Sequence, residues 1–175
     1  MDAYLAVAGK REVRRYQPQA IPEPVLTQIL EAGRASGSSR NRQPWRFIVV
    51  TDRARLHEVG GLVSRPGNVA EAPAAIIVAI TTPRAAFDAG RTAQNMMLAA
   101  WSLGIGTCPN TPTDEAAVKS LLGLPAEMAV PTVLSLGYPA PGERRPRRKA
   151  DAAAVLGRIN RMPLGDLVYR DRYAG

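Results

Sequence analysis

The chain has 175 residues but only one cysteine, one histidine and two phenylalanines. A lone cysteine, Cys108, excludes an intramolecular disulfide framework, fits a reducing compartment and leaves no partners for a thiolate metal site. The lone histidine, His57, falls on an amphipathic surface stretch far from any Ser, Cys or Asp grouping, which argues against a histidine-based triad. No Gly-x-Gly-x-x-Gly follows a strand, and there is no P-loop. Apolar runs stay far below the length of a bilayer span, and no basic start leads into an apolar block, so a soluble, cytoplasmic protein is expected.

Acids are scarce as well: 15 Asp and Glu face 23 Lys and Arg, for a net charge of +8. Such an excess invites a nucleic-acid reading. The arginines, however, gather at residues 11–15 and 144–149 with few aromatics between them to stack bases, and arginine far outnumbers lysine. Nucleic acid is therefore the weaker reading, since two basic clusters serve equally well to hold one phosphate.

What is present is a chain of single-domain size, 46% apolar, able to bury a core unaided. Residues 37–47, GSSRNRQPWRF, pack hydroxyls, amides, a Pro-Trp step and three arginines into one predicted loop. Core elements flank it on both sides: a helix over 24–32 with Val25, Leu26, Ile29 and Leu30 at helical spacing, and a strand over 46–51. Gly33 then either ends that helix or admits a close neighbour. Residues 53–62 predict a weaker helix, 64–71 a loop, and 74–80 a strand apolar on both faces. Thr82 and Pro83 open the longest helix, which is apolar nearly all round over 93–103 and stops at Gly104. A helix over 114–122 and a strand over 130–138 follow. Beyond lies a Pro-, Gly- and Arg-rich stretch, a helix-compatible segment over 150–159 and apolar side chains over 166–173, a tail that dangles or wraps a partner.

Without standard catalytic constellations, arginines, amides, hydroxyls and glycine turns suit an anionic, planar ligand that brings its own reactivity, such as a flavin. The residues resemble the FMN-dependent nitroreductase family in its short, single-domain form. Residues 10–16 (KREVRRY), the Asn41-x-Gln43-Pro44-Trp45 core of the loop, Ala93-Gln94-Asn95 leading into Leu103-Gly104-Ile105-Gly106, and Leu122-Gly123-Leu124-Pro125 before Leu136-Gly137-Tyr138-Pro139 carry that resemblance across the chain.

The resemblance implies an α+β three-layer sandwich: a central, mostly antiparallel sheet flanked by helices, in an intertwined homodimer whose 139–175 extension wraps the partner. FMN is implied at the dimer interface. Lys10, Arg11, Glu12, Arg14, Arg147 and Arg148 would surround its phosphate and flavin edge, and Ser38, Ser39, Arg40 and Asn41 would reach it from the partner subunit. The turn at Gly104, Ile105 and Gly106, with Pro109 and Asn110, would approach the ring. NADH or NADPH would pass a hydride to flavin N5, and a nitroaromatic, quinone or similar small aromatic acceptor would follow by ping-pong, with no side chain acting as acid or base. The alternatives are another flavin reaction on the same fold, dehalogenation or flavin fragmentation, and an FMN-free basic binding module. Glu12 stands where the family commonly has serine, and Lys10 where it commonly has arginine. A carboxylate there would repel a phosphate unless a cation pairs with it.

Overall fold

The computed structural model describes residues 2–146 and 150–173. Its centre is β2 (Ala74–Ile80), every residue of which is buried. A continuous apolar run does this because successive side chains point to opposite faces, and here both faces are covered. On one face, Ile76, Val78 and Ile80 join Leu134 and Leu136 against α2 (Glu23–Arg34) and α5 (Ala86–Leu103). On the other, Ala75, Ile77 and Ala79 join Val133 against α3 (Arg53–Gly60), α4 (Pro66–Ala70) and α6 (Glu115–Leu122). The result is a three-layer sandwich.

The sheet runs β1-β2-β4-β3, with β1 at Trp45–Val50, β3 at Gly106–Asn110 and β4 at Ala129–Gly137. All three strand pairings are antiparallel. Strand β3 is invisible to sequence pattern, since Pro109 interrupts it, but an edge strand tolerates a proline. The expected loop over 64–71 instead contains α4, whose Asn68 and Val69 are buried. Pro66 opens it at a position where a first helical turn needs no amide hydrogen.

Gly33 lies inside α2 rather than ending it. A Cβ there would come within 2.8 Å of Met96 Cγ, so the glycine lets α5 pack close, and Thr92 Oγ1 donates to its carbonyl at 2.8 Å. Helix α5 stops at Gly104, whose φ of 91° closes the left-handed cap that most residues resist. Its two amides lie on an exposed face rather than inside, and Asn95 Nδ2 donates to Ser36 Oγ at 2.8 Å. Helix α1 (Ala3–Gly9), capped by Asp2, packs against the short α7 (Ala152–Leu156), which is all that forms of the helix expected over 150–159. Beyond it Met162, Leu164, Leu167, Val168, Tyr169 and Tyr173 are exposed.

Candidate functional site

The basic segment after α1 runs along the free edge of β3. Glu12 bridges Thr107 in parallel, and Val13 N–H donates to Thr107 O at 3.0 Å. Gly106 makes this approach possible, since a Cβ there would stand 2.6 Å from that of Val13. Farther along, Tyr16 Oη donates to Val13 O at 2.6 Å and bonds Ser135 Oγ at 2.9 Å, fastening the segment to β4. Burial pushes the Tyr16 phenol well above its ordinary range, so it stays protonated.

Docking places the chemistry of residues 10–14 beside the turn after α5. Lys10 is 9% exposed, with Nζ 2.7 Å from Glu12 Oε1 and 3.5 Å from Met97 Sδ. Lys10 and Glu12, the two departures from the family pattern, thus neutralise each other. Among the described residues, Glu12 Oε2 and Thr107 Oγ1 are buried without partners, although such atoms ordinarily find one. Arg14 is exposed on the Cys108 side, where burial raises the thiol's pKa while Arg14 and Lys10 oppose the rise.

The turn residues divide. Gly104 and Gly106 shape the turn and the docking, Ile105 is fully buried, and Pro109 is exposed. Asn110, expected to approach a ligand, is 3% exposed and fully engaged. Its Nδ2 donates to Cys108 O at 2.9 Å and Val133 O at 3.2 Å, and its Oδ1 accepts from Asn68 Nδ2 at 2.9 Å. As placed, the Asn110 side chain supports the sheet. Asn68 and Ser135, which complete this network with Tyr16, carried no sequence signal because side chains of this kind are common in loops and strands alike.

Residues 38–41 lie elsewhere. Ser36 and Gly37 abut Asn95 and Arg91 of α5, whereas Lys10 and Gly9 abut Met97 and Trp101 farther along the same helix. Ser38 Oγ accepts from Gln43 N–H at 2.9 Å, and Ser39, Arg40 and Asn41 are exposed. Among the described residues no hydrogen bond joins this loop to residues 10–14, so one protomer does not bring the two halves of the expected site together. Arg40, Asn41 and Gln43 have φ of 53°, 53° and 48°, a left-handed run of non-glycine residues that costs free energy and concentrates at ligand-binding loops. Arg147 and Arg148 lie outside the described residues.

The model of the family described as the nitroreductase family matches residues 7–81 and 61–138. The chain belongs to that family. Membership makes it an oxidoreductase by class. A nitroreductase relative, a putative NADH dehydrogenase/NAD(P)H nitroreductase of Methanothermobacter thermautotrophicus, is 32% identical over 82% of each chain. The NADPH-flavin oxidoreductase of Vibrio harveyi is 26% identical over 95% of this chain and 78% of its own. Among solved structures, a putative NADH dehydrogenase/NAD(P)H nitroreductase from Bacteroides thetaiotaomicron superposes with a TM-score of 0.81 at 25% identity, covering 99% of both chains. The nitroreductase fold is thus shared along the whole chain, while the family match stops before residue 139.

The residues present suit a flavin mononucleotide on three counts. Arg14 supplies an exposed cation at the β3 edge with Lys10 beside it held by Glu12, Thr107 Oγ1 has unmet hydrogen-bonding capacity there among the described residues, and the turn at Gly104 leaves that edge uncrowded, since a Cβ at Gly104 would touch nothing within 4 Å. No helix among the described residues is long and apolar enough to cross a membrane.

Proposed function

We propose that this nitroreductase-family chain is an FMN-dependent oxidoreductase that takes reducing equivalents from NADH or NADPH and delivers them to a nitroaromatic, quinone or similar small aromatic acceptor. Bound FMN supplies the hydride chemistry, which none of the protein's own side chains can perform. The observation that carries this reading is the docked 10–14 segment: a buried lysine, an exposed arginine and a Thr107 hydroxyl without a partner among the described residues, beside the turn after α5, in a chain of this family.

Lys10 and Arg14 would hold the flavin's anionic side and its edge, and their positive charge favours the reduced, more electron-rich ligand. Glu12 sets the orientation of Lys10. Tyr16 holds the strand-like segment in place and, remaining protonated, carries no proton transfer. Ser38, Ser39 and Asn41 would complete the site from a second copy of the chain. That arrangement gives the exposed loop a ligand, and the exposed apolar side chains of residues 162–173 a surface to cover.

An absorption spectrum of protein reconstituted with FMN, followed by NADH and NADPH oxidation with menadione or a nitrofuran, tests the proposal. Retained flavin and acceptor-dependent turnover are expected. Failure to retain flavin, or to oxidise either nucleotide with any acceptor, overturns it. Light scattering should return the mass of a dimer.

A further inference from the structure

Among the described residues no large apolar side chain is more exposed than Phe87, at 79%. It stands in the first turn of α5, and one turn on the Arg91 guanidinium lies over its ring, with Cζ 5.7 Å from the centroid. That distance is within reach of a cation–π attraction. Arg91 is held by little else. Its ion pair with Asp88 is 3.9 Å long, beyond hydrogen-bond reach, and the arginine is exposed. Gly37 admits the guanidinium, since a Cβ there would stand 2.7 Å from Nη2.

The charge around this pair is one-sided. The two segments that meet here, 36–46 and 82–95, carry Arg40, Arg42, Arg46, Arg84 and Arg91, all exposed, against a single acid, Asp88, which is buried. Glu31 of the adjoining α2 is taken by Arg34 at 2.7 Å. A surface of this kind concentrates anions. It also belongs to the loop half of the proposed site. Asn95 bonds Ser36 and Arg91 abuts Gly37, so one stretch of α5 carries both the Phe87–Arg91 pair and the loop that continues into residues 38–41. Met97, which meets Lys10, lies ten residues beyond Phe87, about 15 Å farther along the helix.

We infer that Phe87 and Arg91 form an acceptor subsite beside the flavin of the second copy and select an aromatic acceptor that carries a carboxylate, its ring against Phe87 and its carboxylate on Arg91. The inference rests on the proposed function and narrows the acceptor within it. A guanidinium suits a carboxylate better than an uncharged oxygen, because its parallel N–H donors meet two charged oxygens at once. Phe87 adds ring-on-ring contact, which holds an aromatic of either charge.

The test titrates FMN-loaded protein, without reductant, with para-nitrobenzoate and with the uncharged para-nitrobenzamide, followed through the flavin's visible absorption. The wild-type chain should prefer the benzoate by about tenfold or more, the scale of charge-assisted hydrogen bonds. Arg91→Gln should bring the benzoate's affinity down to that of the amide. Phe87→Ala should weaken both ligands alike, by about two- to tenfold, the scale of an aromatic pair. With NADH as reductant, kcat/KM for the two compounds should follow the same pattern. Both side chains are exposed, so melting temperature and mass by light scattering should match the wild type. Equal binding of the two compounds by the wild-type chain, or a preference that survives Arg91→Gln, overturns the inference while the proposed function stands. A loss of mass in Phe87→Ala makes the ring a subunit contact and overturns its place in the subsite. If the wild-type chain retains no flavin, the proposed function falls and the subsite falls with it.

Discussion

Lys10 Nζ and Glu12 Oε1 lie 2.7 Å apart, with the lysine side chain 6% exposed and the glutamate 38%. A pair so placed stabilises mainly by sparing the lysine an unpaired burial. It also occupies the cation that would otherwise attract a phosphate. Replacing Glu12→Ser should destabilise flavin-free protein by about 1–2 kcal/mol, less than a fully buried pair because the glutamate is partly solvated. FMN binding should tighten by roughly tenfold as Lys10 is released. Urea denaturation and a flavin fluorescence titration read the two effects, and unchanged or weaker FMN binding would show that Glu12 helps rather than hinders the cofactor.

Tyr16 couples stability to alkaline pH. Its folded-state pKa is raised above the unfolded value of 10.0, chiefly by burial. A raised pKa means that the protonated native form is favoured, so the contribution is complete below pH 10 and is lost as pH rises towards the folded-state value. Stability should fall above pH 10 by up to about 1.4 kcal/mol per pH unit from this one group. Tyr16→Phe should cost about 1–2 kcal/mol at pH 7, chiefly through the Val13 carbonyl that loses its donor, since Ser135 Oγ keeps Cys108 O and Asn110 Nδ2, and should flatten the alkaline decline. Denaturation midpoints across pH 8–11 decide it. An equally steep decline in the variant would place the alkaline sensitivity elsewhere.

Gly106→Ala and Gly33→Ala should differ in kind. At Gly106 the new methyl meets Val13 carbons at 2.6–2.8 Å, and β-branched Val13 is stiff and fully buried. The docked segment must shift, costing about 1–3 kcal/mol and loosening FMN. At Gly33 the methyl meets Met96 Cγ and Sδ at 2.8 and 2.9 Å, and the flexible thioether can swing aside. Gly33→Ala should therefore cost less and leave FMN affinity alone. Equal losses of flavin affinity would contradict this.

Arg40→Gly removes the steric cost of a φ of 53°. Stability should hold or rise by up to about 1 kcal/mol, because the conformation stops being strained even as the unfolded chain gains freedom. Flavin affinity and turnover should fall if residues 38–41 are pre-organised for a ligand. Thermal melts with kcat/KM measure the trade, and a variant equal to wild type in both would leave the loop without a role.

The central layers were legible in the sequence because their signals are local. The apolar run of β2, the Val25-Leu26-Ile29-Leu30 stripe of α2 and the glycines after α5 and α6 each encode an element within a few residues. Strand β3 and helix α4 were not legible. Pro109 breaks the strand pattern that an edge position permits, and Asn68 looks like a loop residue until Asn110 pairs with it. The chemistry of residues 10–16 stood out as a cluster of charges, but charge type carries no direction.

Direction is what only the tertiary structure decided. Composition and periodicity determined one domain of alternating helices and strands with an arginine-rich, ligand-holding character, since burial patterns and turn residues act through near neighbours in the chain, and the α+β class came from the family resemblance. Whether Lys10 meets Glu12, whether Arg15 finds Glu143, and how Asn110 ties into the sheet depend on contacts between residues as many as 128 positions apart in the chain. Those contacts exist only once the basic segment has docked on the edge of β3, because backbone pairing sends alternate side chains to opposite sides.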